Sequence, residues 1–402
     1  MKPIHPRRRQ LGAVLAVSVA AVVLAACSSG GSSGANAGGS VSGLPASIPV
    51  TYVADMTGLA GPVGQADLKG MQAAMQAAQD SGLIGSSRID LKVVDTGSDT
   101  QKSNTLTQQA VASDSIAMFS PALSGEGLPA AQLAQRGELP FLAVQSNAPG
   151  ITDIGEYIYA GTPAPAAYVP LTDKYVMEKF APKSVGFLYG SDSPSLVLGW
   201  DTFKQDLGAK GVQIGESVGL TAKTTDFTSA ASKVAASTPD AVGIILVASQ
   251  NATAVSALRQ AGFKGQIFAY NGAAGGYLKA AGPDGAGIPY SVSFGPGMSF
   301  DSSKKFEALY QKMNNGEAPS VFAAEGYVAM DLLLHALAAS QDASRQGVLD
   351  GLQKVAASDG FDSSVGRAAL TGDNKRALQS PGALLLWDGT KENLIDTGAA
   401  PQ

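Results

Sequence analysis

Ser124 stands where the chain turns from a short apolar run, Ile116-Ala117-Met118-Phe119, toward a segment of helical spacing from Leu128 to Gln135. The run reads as a buried strand. The start of a helix carries unsatisfied N–H groups and a partial positive charge, which together suit a carboxylate. Ser124 therefore either caps that helix or donates its hydroxyl to a ligand oxygen. A second buried strand, Pro140-Phe141-Leu142-Ala143-Val144, ends in the polar loop Gln145-Ser146-Asn147-Ala148-Pro149. Polar loops at the carboxyl ends of neighbouring parallel strands are where open α/β sheets bind small molecules.

Covalent chemistry has weaker claims. Gly30-Gly31-Ser32-Ser33-Gly34 fits the letters of a hydrolase elbow, but no strand precedes it and no helix follows. Ser302-Ser303-Lys304-Lys305 has the S-x-x-K spacing without its usual partner motifs. There is no P-loop and no H-E-x-x-H. His335 lies in a mostly apolar helix, Asp331 to Leu337, with no nucleophile to pair with it. One cysteine and two histidines leave no plausible zinc site. The expectation is a binding protein rather than an enzyme, with no cofactor and no metal.

The first residues set the compartment. Lys2, Arg7, Arg8 and Arg9 form a basic n-region, and Leu11 to Leu24 an apolar h-region shorter than a membrane span. Leu24-Ala25-Ala26-Cys27 resembles the lipobox of bacterial lipoproteins, which implies cleavage before Cys27 and a lipid on its thiol. Arg8-Arg9 also loosely resembles a twin-arginine export signal. Loss of residues 1–26 removes four basic residues and no acidic one. The 28 Lys+Arg then become 24 against 33 Asp+Glu, a net charge of −9. Such an acidic chain without a basic block is a poor nucleic-acid binder, and the lipid alone must anchor it. Ser28 to Ser47 is rich in Gly, Ser and Ala and reads as a tether with a reach of about 25 Å.

About 350 residues remain, enough for two lobes rather than one core. Strands are expected at Ile48–Ala54, Arg88–Asp95, Ile116–Phe119, Pro140–Val144 and Tyr157–Tyr159, with helices between them from Gln65 to Ser81 and from Asp99 to Ala112. The alternation restarts at Ser184 and runs through strands at Val212, Ala241, Gln266 and Ile288. The tail is mostly helical, followed by a strand at Ala383–Trp387. This order specifies an α/β fold of two doubly wound parallel-sheet lobes.

Several motifs converge on one family. Thr57-Gly58, Gly64 and Gly70 open the folded part, Leu91 to Asp95 reads L-x-x-x-D, and Pro121 and Ser124 fit a G-P-x-x-S turn with Ser120 in place of its glycine. Pro140 to Pro149, Asp226-Phe227, Pro239-Asp240-Ala241-Val242 and Glu325-Gly326-Tyr327 follow in order. From Ile48 to Ile395 the chain resembles the type I periplasmic binding proteins of the branched-chain amino acid class, the substrate-binding subunits of ABC importers. The resemblance implies a signal peptide at 1–26 and a lipidated Cys27 with its tether at 27–47. It implies an N-terminal lobe of 48–165 plus 298–368 and a C-terminal lobe of 166–297 plus 369–398. Three crossings near 162–168, 295–300 and 366–372 would form the hinge.

It further implies that Ser124, Gln145 and Asn147 hold a ligand carboxylate, with Ala122, Leu123 and Val63 along the same wall. Relatives place an acidic residue for the ligand ammonium where this chain has Asn271. Asp192 and Glu325 are candidates to replace that charge, and Tyr168, Tyr270 and Phe322 are candidate apolar walls. The implied partners are a small polar solute, ABC permease subunits and the lipid bilayer reached through Cys27, for a monomer on the outer face of the cell membrane. A sensor or interaction subunit of a membrane receptor is the alternative that the residues leave open.

Overall fold

The computed structural model describes residues 43–146 and 148–399. The expected leader, the tether up to residue 42 and Cys27 lie outside the described residues, as does Asn147.

The first lobe begins with β1 (Ser47–Ala54), α1 (Gly61–Ser81) and β2 (Arg88–Asp95). Gly82 closes α1 at a positive φ of 70°, returning its N–H to the last turn. Asp99 caps α2 (Thr100–Val111) by accepting from the Lys102 amide. Then come β3 (Ala117–Phe119), α3 (Ser124–Arg136), β4 (Phe141–Ala143) and β5 (Ile158–Ala160). Residues 161–168 cross to the second lobe, which holds α4 (Val169–Lys179), β6 (Ser184–Gly190), α5 (Pro194–Ala209), β7 (Gln213–Leu220) and α6 (Thr228–Ala236). It continues with β8 (Ala241–Ile245), α7 (Gln250–Gln260), β9 (Gln266–Ala269) and β10 (Ile288–Val292). Residues 293–300 lead back to α8 (Asp301–Met313), α9 (Val321–Ser340) and α10 (Arg345–Ala356). The chain ends with β11 (Phe361–Ser363), β12 (Gly366–Thr371), β13 (Ala377–Gln379), β14 (Ala383–Trp387) and β15 (Glu392–Thr397).

Three sheets form among the described residues. One has the order β11-β12-β13-β5-β4-β3-β1-β2, one is β7-β6-β8-β9, and the third is β10-β14-β15. The β1 to β5 strands pair in parallel, as do β6 to β9. Antiparallel pairing is confined to β11-β12-β13 and to the third sheet. The β strands of the parallel sheets are covered on both faces by helices, so β3, β4, β5 and β8 read as unbroken apolar runs with no exposed face.

The third crossing differs from expectation. It was expected at 366–372, with residue 369 opening the C-terminal lobe. Strand β13 pairs with β5 in the first sheet, and β14 pairs with β10 in the third. The chain therefore crosses between Gln379 and Ala383, and the first lobe extends about ten residues further than 368.

Helix α9 is long and apolar enough to span a membrane, yet most of it is buried inside this fold as the core helix of the first lobe. It packs on α1 backbone to backbone. A Cβ added at Gly326 would lie 2.1 Å from the Asp67 carbonyl oxygen, and one at Gly70 would lie 1.8 Å from that of Ala323. Only glycine permits this approach. Arg345, at the start of α10, staples the lobe by donating to the carbonyls of Val111, Ser113, Ser115 and Gly137.

Candidate functional site

A cavity with about 630 Å³ of empty space, its mouth included, lies between the carboxyl ends of the two parallel sheets. That is the size class of small-molecule sites. The first lobe contributes Leu59, Ala60 and Val63, the turn Ala122-Leu123-Ser124, Gln145, and Phe322 from α9. The second contributes Ser193, Ser195 and Leu196, the Val247-Ala248 bend and Asn271-Gly272, with Pro165 from the first crossing. None of the lining residues carries a charge.

The first wall is built around the start of α3. Leu123 is the N-cap, and no side chain caps the helix. The Glu126 and Gly127 amides turn back to the Leu123 carbonyl at 2.9 Å each. The Ser124 and Gly125 amides and the Ser124 hydroxyl have no partner among the described residues. These are three donors at the positive end of a helix. The turn is held from behind by Asp55, whose Oδ2 accepts the Ala122 amide at 2.7 Å and whose Oδ1 accepts Thr96 Oγ1 at 3.1 Å. Ser120 Oγ accepts the Val144 amide at 2.8 Å and joins Ser146 Oγ at 2.9 Å. The serine found where the G-P-x-x-S pattern has glycine thus ties the ends of β3 and β4 together.

Glu126 sits in the first turn of α3 and is 1% exposed. Burial first, then the neighbouring Asp55 charge, pushes its carboxyl up to about 8. At neutral pH it keeps its proton, so it does not repel an anion at the helix start.

The approach to α1 is shaped by Asp95. Its partial burial acts upward, but the Thr57 hydroxyl and the Gly97, Met56 and Thr57 amides outweigh this and hold the carboxyl down at about 2. Gly58 adopts a φ of 78°, and a Cβ there would meet the Gly97 carbonyl oxygen at 2.4 Å. The Thr57-Gly58 motif is therefore a loop-closing device, and it sets Leu59 and Ala60 at the cavity.

The second wall has the same logic. Ser193 precedes Pro194 at the first turn of α5, again without a side-chain cap, so this helix start also faces the cavity. Asn251, fully buried, donates to the carbonyls of Leu246, Ala248 and Gly272 at 3.0–3.1 Å. It clamps the bend after β8 onto the bend after β9 and so places Asn271.

Behind the first wall, Gln145 adopts a φ of 67° and its Nε2 donates to Asp67 Oδ1 at 2.9 Å. The Tyr52 hydroxyl donates to Asp67 Oδ2 at 3.3 Å. Glu325 accepts from Ser293 Oγ at 2.5 Å. Burial pushes Asp67 well above the usual carboxylate range and Glu325 up to about 7.

Residues 47–391 match the family model described as periplasmic binding protein. The chain belongs to the periplasmic binding protein family. A leucine binding protein, LivK, from Thermotoga maritima superposes with a TM-score of 0.78 at 20% identity, covering 87% of this chain and 98% of that one. LivJ, a branched-chain amino acid transporter substrate binding protein from Streptococcus pneumoniae in complex with isoleucine, gives 0.76 at 21%, covering 88% and 100%. An ABC transporter solute binding protein from R. palustris in complex with benzoate gives 0.78 at 18%, covering 88% and 97%. At these identities the likeness concerns the type I fold. No curated protein matches the chain.

In this periplasmic binding protein the structure brings Val63, Ala122, Leu123, Ser124, Gln145 and Asn271 to one cavity. Phe322, a candidate apolar wall, lines it too, whereas Tyr168, Tyr270, Glu325 and Asp192 do not. Tyr168, expected as an apolar wall, lies at the first chain crossing: its hydroxyl meets Ser380 Oγ at 2.6 Å and its carbonyl accepts Ser291 Oγ at 2.6 Å. Tyr270 is in the core of the second lobe, against Phe203. Glu325 faces Ser293 behind the wall and does not line the cavity. Asp192 lines a neighbouring compartment and accepts the Ala222 amide at 2.9 Å. Neither carboxylate replaces the charge missing at Asn271. His335 leans on Phe361, with its Nε2 3.6 Å from Asp331 Oδ1.

Ser193, Ser195 and Leu196 are not among the residues that the sequence points to, yet they line the cavity. The available signal was Ser193-Pro194, a serine before a proline at a helix start. Val247 and Ala248 had no local signal.

Proposed function

We propose that the protein is a solute-binding subunit of an ABC importer on the outer face of the cell membrane, anchored through a lipid on Cys27. It takes a small carboxylate with an apolar body. The observation that carries the carboxylate reading is the uncapped start of α3. It presents the Ser124 amide and hydroxyl to a cavity whose lining residues carry no charge, with the Gly125 amide beside them at the adjoining compartment. Such donors bind an anion without a counter-cation. A zwitterion fits less well, because its ammonium would be desolvated with no carboxylate in the lining.

Binding between lobes joined by three crossings favours closure through contacts made only in the closed form. The Mechanism is one of population shift, without covalent chemistry: the solute bridges the two helix starts, and closure presents both lobes to a permease.

The test is thermal unfolding of the lipid-free protein with benzoate, 4-hydroxybenzoate, 4-methylpentanoate and leucine. A solute at a hundred times its dissociation constant adds about 2.7 kcal/mol of stability, a rise of several degrees. A rise with one or more carboxylates is the expected result. No rise with any of them removes the carboxylate reading.

A further inference from the structure

Gln145 lines the cavity, but half of its amide is committed elsewhere. Its Nε2 donates to Asp67 Oδ1 at 2.9 Å. Asp67 is fully buried and Glu325 is 3% exposed. Asp67 is further held by the Tyr52 hydroxyl, and Glu325 by Ser293 on the second crossing. The Gln145 backbone is pinned as well, since its amide donates to Thr162 Oγ1 at 3.2 Å. With the amide nitrogen turned toward Asp67, the unbonded end of the side chain is Oε1. This atom has no partner among the described residues and is not sealed in the core.

We propose that Gln145 Oε1 is a specificity-determining acceptor, oriented by Asp67, which selects carboxylates that also carry a neutral hydrogen-bond donor such as a hydroxyl. This rests on the carboxylate reading of the same cavity. The donor is neutral rather than ammonium because the two acids lie behind the Gln145 amide and no ionised group faces the cavity. Asp67 is a positioning residue in this scheme and does not touch the solute, whereas Gln145 does. The cavity then offers donors at the α3 start and an acceptor at Gln145, so it reads both ends of an asymmetric solute.

The experiment is calorimetric titration of the full chain with two matched series. One is 4-methylpentanoate, 2-hydroxy-4-methylpentanoate and leucine, which differ only in H, OH or ammonium at one carbon. The other is benzoate and 4-hydroxybenzoate. In the series that binds, the hydroxyl compound is expected to bind roughly tenfold tighter than its parent, the worth of one hydrogen bond in a desolvated site. Leucine is expected to bind no tighter than 4-methylpentanoate. Gln145→Met should bring the affinities of the hydroxyl compound and its parent together. Asp67→Asn, which keeps the shape but frees the amide to turn, should reduce the same ratio. A purely structural role would not move that ratio.

A wild type without hydroxyl preference overturns the proposal, as does a Gln145→Met variant that keeps it. A wild type that prefers leucine to both analogues also overturns it, because charge is then being supplied. If neither series binds, the carboxylate reading itself fails and the proposal falls with it.

Discussion

The Tyr168 hydroxyl lies 2.6 Å from Ser380 Oγ, which ties the first chain crossing to the third. The Tyr168 carbonyl accepts Ser291 Oγ at 2.6 Å, at the threshold of the second crossing, and Thr172 Oγ1 supports Ser291 at 2.8 Å. Gly382, at a φ of 76°, makes room for the ring: a Cβ there would lie 2.3 Å from it. One tyrosine thus knots all three strands of the hinge, away from the solute. Tyr168→Phe is expected to cost about 1 kcal/mol of stability and to shift the balance between open and closed forms. Denaturant melts check the first. Small-angle scattering with and without solute checks the second, and an unchanged open-to-closed balance would remove the hinge role.

Ser124 caps nothing, because the N-cap is Leu123. Ser124→Ala should therefore leave the unliganded melting temperature within a degree or so, whereas loss of a capping serine would cost about 1 kcal/mol. It should weaken binding of a carboxylate about tenfold. Equal loss of stability and affinity would return Ser124 to a structural role.

Glu126 predicts a pH limit for binding. Its carboxyl is raised to about 8 by burial and by Asp55, with Asp99 adding to the effect. Asp192 and Lys223 line the compartment on its other side. Below pH 8 the group is neutral and the α3 start keeps its full attraction for an anion. As pH rises through 8 it ionises in the first turn, and carboxylate affinity should fall. Glu126→Gln should flatten that dependence, as read by titrations at pH 6.5 and 9.

Asp173 makes stability itself pH-dependent. It is fully buried on α4, its oxygens lack hydrogen bonds, and Lys210 Nζ stands 3.8 Å away. Burial pushes its carboxyl up to about 8; Lys210 acts against this and Asp206 with it. The folded form therefore holds a proton that the unfolded chain releases near pH 4. Its contribution is full below pH 4 and is lost as pH rises through 8. Asp173→Asn should raise stability at pH 9 relative to pH 5 by roughly 2–4 kcal/mol against the wild type. Parallel denaturant melts at the two pH values would show no such difference if Asp173 were solvated.

Gly326→Ala should be among the most damaging single changes. Its Cβ would meet the Asp67 carbonyl carbon and oxygen within 2.6 Å, and neither can move without shifting α1 from α9. Overpacking of this kind costs about 1–3 kcal/mol or more. Because Asp67 also positions Gln145, solute selectivity should change along with stability.

Cys27→Ser should abolish incorporation of radioactive palmitate in a bacterial host and move the protein from the membrane to the soluble fraction. Retention of the label would place the lipid elsewhere.

Much of the fold was legible locally. Strand β2 begins and ends where alternation places it, because exposed and half-buried residues alternate along most of its length. The order of motifs was enough to state the family. The leader and Cys27 are read from residue order alone. The turn at Ser124 was legible too, since a strand running into a helix leaves free donors whatever lies opposite.

What local pattern left out has a common physical cause. Strand β13 is three residues long and its partner β5 is more than two hundred residues earlier, so no nearby signal marks it as part of the first lobe. Tyr168 has the composition of an apolar wall, and only its distance to Ser380 makes it a hinge knot. Glu325 carries a charge that sequence offers to a ligand, but the packing of α9 against α1 turns it to Ser293 behind the wall. Residue type determined which polar and apolar groups this protein has for lining a cavity. Tertiary packing decided which of them reach the cavity, because burial, close helix approach and hydrogen bonding across long stretches of chain set where each side chain points.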